Sequence, residues 1–131
     1  MSMQFGLTIW LTGLSGSGKT TIGQGLVEAL RQRGMSSVLL DGDELRKSLS
    51  SDLQYSNADR EEHNRRVVTL AKAVCSEGAN AIVSTISPYL SIREHARSQS
   101  ARFVEVYVNA PLYVCEQRDP KGLYLRAKQG T

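Results

Sequence analysis

The chain has 131 residues, enough for one domain with a sizeable core. Hydrophobic residues make up 40% and charged residues 22%, ordinary values for a soluble globular protein, and the net charge of +3 carries no dense Lys/Arg stripe of the kind nucleic-acid binders show. No apolar run approaches the ~20 residues that a membrane-spanning helix needs. The two cysteines, Cys75 and Cys115, lie in apolar-patterned segments and, with no signal peptide in view, read as buried free thiols of a cytoplasmic protein.

Leu7-Thr8-Ile9-Trp10-Leu11 is an apolar run that predicts a buried strand. Gly13-Leu14-Ser15-Gly16-Ser17-Gly18-Lys19-Thr20 follows and matches G-x-x-x-x-G-K-[ST] at every fixed position. After it, Ile22, Leu26, Ala29 and Leu30 share one face of a predicted helix. Strand, glycine turn and helix are the context this motif needs to be a phosphate site. Glycines let the backbone curl so that successive N–H groups point at phosphate oxygens, and the helix N-terminus adds partial positive charge. Ser15, Gly16, Ser17, Gly18, Lys19, Thr20 and Thr21 are therefore candidate ligands of ATP. Lys19 is placed to reach the β- and γ-phosphates, and the Thr20 hydroxyl to hold Mg²⁺.

Gly34 ends that helix, and Ser37-Val38-Leu39-Leu40 predicts a short second strand. Glu44 to Leu49 reads as a short helix. Asp59 has the chemistry of a helix N-cap, with Glu62 three residues on to complete a capping box. Val67, Leu70, Ala71 and Val74 continue that helix as a core stripe, and Gly78 terminates it. Ala79 to Ile86 predicts a third strand, Ile92 to Ser98 a helix, Phe103 to Val108 a fourth strand, and Leu112 to Gln117 another helix. Near-continuous apolar strands separated by helices predict an α/β, doubly wound parallel sheet covered on both faces. Ligands of such sheets bind at the carboxyl ends of the strands. That rule gathers residues 13–20, 41–46, 85–89 and the region after Asn109 at one edge.

The second strand leads into Asp41-Gly42-Asp43-Glu44-Leu45-Arg46. Asp43 could accept a proton from a substrate hydroxyl, help to hold Mg²⁺, or cap the helix that follows. Arg46 could grip an anionic acceptor or stand as a solvated charge. The third strand ends in Ser84-Thr85-Ile86, without the Asp that many P-loop ATPases and GTPases carry there. This argues against a motor or switch and shifts the acidic work, metal binding included, to Asp41 and Asp43. Arg60, His63 and Asn64 share one helix face at i, i+3 and i+4, and Arg65 and Arg66 follow; a solvated basic face is the simpler reading of that cluster. Arg118 to Lys128 mixes cations with Pro and Gly, which suits a mobile lid over phosphates or a frayed basic helix.

Together these residues resemble the adenylylsulfate (APS) kinase family. The resemblance runs from Ile9 to the end of the chain. It includes the P-loop, Leu40-Asp41-Gly42-Asp43, Asp59-Arg60 with Arg65-Arg66, Ile86-Ser87-Pro88-Tyr89, and Cys115-Glu116-Gln117-Arg118-Asp119-Pro120-Lys121-Gly122-Leu123-Tyr124. It implies a doubly wound P-loop kinase fold that moves the γ-phosphoryl group of ATP to the 3′-hydroxyl of adenylylsulfate, giving the activated sulfate donor PAPS. By position it implies Lys19 and Asp43 as the catalytic pair, with Asp43 as base. Arg46 and Arg60 would bind the phosphosulfate and ribose, and Tyr55 would pack on the adenine. Ile86 and Ser87 would line the acceptor pocket, and Arg118 and Lys121 would belong to the lid. Ser87 also matches a serine proposed in the family as a phosphoenzyme site. Direct transfer is favoured here, because an in-line displacement mainly needs positioning and charge neutralisation. A homodimer, or fusion to a sulfurylase domain in a longer parent chain, fits the same resemblance.

Three departures stand out. His63 replaces a family Asn that contacts the acceptor, and imidazole lacks the amide's paired donor and acceptor. Gln54 stands for Gly and Tyr55 for Phe, also on the acceptor side. The chain stops at Thr131, where the family continues with a Phe-bearing lid segment, a fifth strand and a closing helix. The expectation is a single, C-terminally short kinase domain over residues 1–131, in which one side of the first strand lacks its usual neighbour. Two other readings follow from these departures: a same-fold kinase acting on a different small nucleotide or metabolite hydroxyl, and a nucleotide-binding remnant without turnover. Neither nucleic acid nor membrane is an expected partner.

Overall fold

The structure is a computed structural model that describes residues 5–87 and 89–130; Pro88 and the terminal Thr131 lie outside the described residues. Four parallel strands, β1 (Thr8–Thr12), β2 (Ser37–Asp41), β3 (Asn80–Ser84) and β4 (Phe103–Tyr107), form one sheet in the order β2-β3-β1-β4. Helices α1 (Lys19–Gln32), α2 (Gly42–Ser48), α3 (Asn57–Ser76), α4 (Leu90–Ser98), α5 (Leu112–Arg118) and α6 (Leu123–Lys128) connect and flank them. The register pairs Asp41 with Ser84 and Leu11 with Ser84, so the carboxyl ends of β1, β2 and β3 meet at one edge.

Side-chain alternation divides the core into two layers. Trp10, Leu40, Ala81 and Val83 face α3 and α4, where Val67, Val68, Ala71, Ile92 and Ala96 bury against them. Leu11, Ile82 and Val108 face the other way, against Leu26, Val27 and Leu30 of α1. The helices that follow β1 and β3 thus lie on opposite faces of the sheet. The crevice between those neighbouring strands is the topological switch point, where this architecture takes ligands.

The predicted face of α1 shifts slightly. Leu26 and Leu30 pack, but Ile22 and Ala29 are exposed. The packed stripe is Gly23, Leu26, Val27 and Leu30, because α1 presses on the sheet at Gly23, where a Cβ would lie 2.7 Å from Leu39 Cδ1. Helix α3 starts earlier than predicted. Ser56 is its cap, its hydroxyl accepting from Asp59 N at 3.1 Å. The Asp59 carboxylate accepts instead from Gln54 N at 2.9 Å, and Glu62 pairs with Arg65 and Arg66 rather than closing a capping box. Helix α2 likewise begins at Gly42, capped by Asp41, whose Oδ1 accepts from Asp43 N at 3.0 Å. The expectation that β1 would lack a neighbour is also corrected. The α4 crossover delivers β4 to that flank, so β1 is paired on both sides. Among the described residues the open edges belong to β2 and β4, and Val104, Val106 and Tyr107 of β4 are exposed.

Candidate active site

The P-loop leaves β1 at Thr12 and enters α1 at Lys19. Gly16 (φ 81°) and Gly18 (φ 100°) hold left-handed conformations that a side chain would strain, and a Cβ on Gly16 would lie 3.0 Å from the Cys115 carbonyl oxygen. The Ser15 and Ser17 hydroxyls are buried and have no hydrogen-bond partner among the described residues. A buried hydroxyl left unpaired costs about 1–3 kcal/mol, so two in one glycine-rich turn fit a loop shaped to receive phosphate oxygens. Lys19, only 8% exposed, donates from Nζ to the carbonyls of Gly13 (2.9 Å) and Leu14 (2.8 Å). Burial lowers its pKa, as does the nearby Lys121 charge, while Asp43 and Asp41 act in the opposite sense.

At the strand ends, Thr20 Oγ1 donates to Asp41 Oδ2 at 3.2 Å, and Ser84 Oγ lies 3.2 Å from the same hydroxyl. Among the described residues no three His, Cys, Asp or Glu side chains cluster as a metal site. Mg²⁺ needs no such cage: it binds through one or two protein oxygens and completes its shell with waters and phosphates. The Thr20 hydroxyl beside the Asp41 carboxylate fits that pattern.

A cleft of about 1290 Å³ opens between the P-loop, the exposed side of α2, residues 50–55, the end of β3 and the segment around α5 and α6. Ser15 to Thr21, Asp41, Asp43, Arg46, Tyr55, Ile86, Arg118 and Lys121, all named from the sequence as candidates, line it together. The Arg46 guanidinium stacks 4.6 Å from the Tyr55 ring centroid, a cation–π contact, and donates to the Gln54 carbonyl at 3.2 Å. The predicted lid segment covers the P-loop. Arg118 donates to the Gly16 carbonyl at 2.9 Å, the Tyr124 hydroxyl donates to the Ser15 carbonyl at 2.8 Å, and Lys121 forms an ion pair with Asp43. Burial raises the Tyr124 phenol's pKa from a value that already leaves it protonated. The turn into α6 is held by Asp119 (φ 29°), whose carboxylate accepts from Tyr124 N and Leu125 N, both at 3.1 Å.

Three predicted site residues lie off this lining. Arg60 is exposed on the first turn of α3. His63 is 2% exposed, with Nδ1 2.7 Å from Ser50 Oγ and Nε2 2.9 Å from the Gly42 carbonyl. Ser87 is turned into the core: its hydroxyl donates to Thr12 Oγ1 at 2.9 Å and accepts from Trp10 Nε1 at 3.0 Å. Arg65 and Arg66 are structural. Arg65 pairs with Glu61 and Glu62, and Arg66 forms a two-pronged pair with Asp52 (2.7 and 3.1 Å) that also reaches the Leu49 carbonyl. Lys47 and Ser50 join the lining unpredicted. Lys47 extends Asp43 at i+4 along α2, a spacing that reading along that helix would have found, and Ser50 follows just past its end.

A phosphate loop at the switch point, a hydroxyl–carboxylate pair at neighbouring strand ends and a basic flap define a P-loop kinase fold. The family model for adenylylsulphate kinase matches residues 5–131. A probable adenylyl-sulfate kinase of Pyrococcus abyssi is 54% identical over 125 residues, 95% of this chain and 72% of the relative. The structure of the Mycobacterium tuberculosis APS kinase CysC in complex with AMPPNP and APS superposes with a TM-score of 0.93 at 43% identity, covering 97% of this chain and 76% of the other. The hexameric APS kinase from Thiobacillus denitrificans aligns with a TM-score of 0.72 at 36% identity, over 80% of this chain and 22% of its own. The chain belongs to the adenylylsulphate kinase family.

Proposed function

We propose that this protein transfers the γ-phosphoryl group of ATP to the 3′-hydroxyl of adenylylsulfate, giving PAPS and ADP. The observation that carries this reading is the single cleft that holds the P-loop, the Thr20–Asp41 pair and the Asp43–Lys121 pair, in a chain of this family. The acceptor oxygen attacks the γ-phosphorus, the bond from that phosphorus to the β-γ bridging oxygen breaks, and the hydroxyl proton passes to the Asp43 carboxylate. Lys19 and the P-loop N–H groups hold the donor phosphates and offset their charge. Thr20 and Asp41 would hold Mg²⁺, which would supply further charge neutralisation. Arg46 with Tyr55, Ile86 and Lys121 bind the acceptor.

The burial of Ser87 supports direct transfer over a phosphoserine intermediate, since its hydroxyl is engaged by Trp10 and Thr12. The assay is formation of PAPS from Mg²⁺-ATP and adenylylsulfate, run beside a panel of other nucleotide and metabolite hydroxyls. Highest turnover with adenylylsulfate is expected. A better acceptor in the panel would reassign the substrate, and ATP binding without transfer to any acceptor would reduce the protein to a nucleotide-binding one. The four described strands share one sheet, which supports a single kinase domain over residues 1–131. Both cysteines are free and buried, in keeping with a cytoplasmic setting, and no described helix is long and apolar enough to cross a membrane. The exposed apolar residues of β4 favour a homodimer, which sedimentation would test.

A further inference from the structure

Helix α2 carries two of the groups that face the acceptor, Asp43 and Arg46, so its placement decides where they point. One buried side chain from α3 touches both ends of it. His63 Nε2 lies 2.9 Å from the carbonyl oxygen of Gly42, the first residue of α2, and Nδ1 lies 2.7 Å from the hydroxyl of Ser50, just past its last turn. A carbonyl oxygen can only accept, so Nε2 must carry the proton. Nδ1 is then the lone-pair nitrogen of the neutral ring, and Ser50 donates to it. From its other side, Gly42 abuts the end of β3 so tightly that a Cβ would lie 2.8 Å from Thr85 Oγ1. The start of α2 is therefore gripped between Thr85 and His63, next to Asp41 and Asp43.

We infer that His63 is a positioning residue: through the Gly42 carbonyl and the Ser50 hydroxyl it fixes α2 so that Asp43 and Arg46 face the acceptor, without touching substrate itself. The charged groups around the ring are Arg46 and Asp43 of α2 and Arg66 of α3; burial and the two arginines favour the neutral ring that this tautomer requires. The inference deepens the kinase reading and rests on it.

The two arms of the imidazole can be separated by substitution. The amide of His63→Gln reaches the position of Nε2 and can still donate to Gly42. The shorter amide of His63→Asn reaches only the position of Nδ1 and keeps the Ser50 contact alone, and His63→Leu keeps neither. With adenylylsulfate as acceptor, H63L, which keeps neither contact, is expected to fall by about 10- to 100-fold in kcat, as for a reacting group displaced by a fraction of an ångström to an ångström, with H63Q and H63N, each keeping one contact, between it and the parent. The KM for ATP stays unchanged throughout, because the P-loop is not touched. Equal loss in H63Q and H63L, parental activity in H63L, or a KM for ATP that moves with kcat would each overturn the positioning role.

A second measurement does not depend on turnover. Nitrogen-15 spectra of the parent protein are expected to show the proton on Nε2 and an unprotonated Nδ1, and H63N is expected to shift the amides of residues 42–46 more than those of 15–20, with H63Q, which keeps the Gly42 contact, shifting the 42–46 amides less. A proton on Nδ1, or α2 amides that do not respond to H63N, would overturn the inference. If the parent makes no PAPS, the kinase reading fails by itself and these spectra still decide the placement of α2. If the variants do not fold, the tautomer in the parent decides it.

Discussion

Replacing Ser87 with alanine separates stability from chemistry. The hydroxyl is 1% exposed, accepts from the indole N–H of the fully buried Trp10 and donates to Thr12. Alanine leaves the Trp10 N–H without an acceptor inside the core, a loss of about 1–3 kcal/mol. Unfolding entropy near 2.1 cal/mol/K per residue, applied to 131 residues, amounts to about 0.28 kcal/mol per degree. The melting temperature of S87A should therefore fall by about 4–11 °C. If the phosphoryl group passes directly from ATP to the acceptor, kcat measured well below both melting points stays within about twofold of the parent, since no group in contact with substrate has changed. The assay pairs a circular-dichroism melt with PAPS formation. Loss of activity by several orders of magnitude in a protein that still melts cooperatively would refute the direct route, because that is the signature of a missing nucleophile. An unchanged melting temperature would refute the assignment of the Trp10–Ser87 bond as the one that matters here.

The other predictions concern the donor side and pH. Lys19→Met should lower kcat by about 10²- to 10³-fold in steady-state assays, the cost of removing one charged donor from the transferring phosphoryl group. Asp41→Asn keeps an acceptor for the Thr20 hydroxyl but loses the charge, so the Mg²⁺ concentration for half-maximal activity should rise by about 10- to 100-fold in a metal titration. Burial holds the His63 pKa below its ordinary 6.5, so as pH falls through that value the unfolded chain takes up the proton and the folded chain does not. Stability should thus decline with falling pH from about 6.5 until the folded pKa is reached and then level off in this contribution. Melts across that range should show the decline in the parent and a shallower one in H63Q.

Much of the architecture was legible because it rests on local pattern. The four strands are short apolar runs bounded by glycine and polar turns, and the P-loop is eight contiguous residues whose spacing is itself the geometry. Helix starts were less legible. Ser56 and Asp59 both have capping chemistry, and the choice between them is made by which residue leaves the extended region and by Gln54 N, which takes the Asp59 carboxylate. The charged run from Arg60 to Arg66 misled for a different reason. On a helical wheel it is one basic face, yet His63 turns inward because its partners, Gly42 and Ser50, lie 21 and 13 residues back, and Arg66 is claimed by Asp52. Ser87 is hidden by Trp10, 77 residues earlier. No sequence period encodes pairings of that range.

That difference in legibility follows the division of labour in the cleft. On the proposed reading the donor side is built almost wholly from residues 15–21, so its phosphate chemistry is written in consecutive positions. On the same reading the acceptor side is assembled from α2, the 50–55 segment, the end of β3 and the basic flap, brought together by the sheet order and by contacts such as Lys121 with Asp43 and Arg46 with Tyr55. Acceptor choice is then a property of how those elements are set against one another. A substitution that leaves every lining residue in place but tilts α2 by about an ångström is then expected to lower turnover by up to about 10²-fold. On the proposed reading, side chains behind the lining such as His63, held 2.9 Å from the Gly42 carbonyl beneath α2, act on the acceptor through the elements they place.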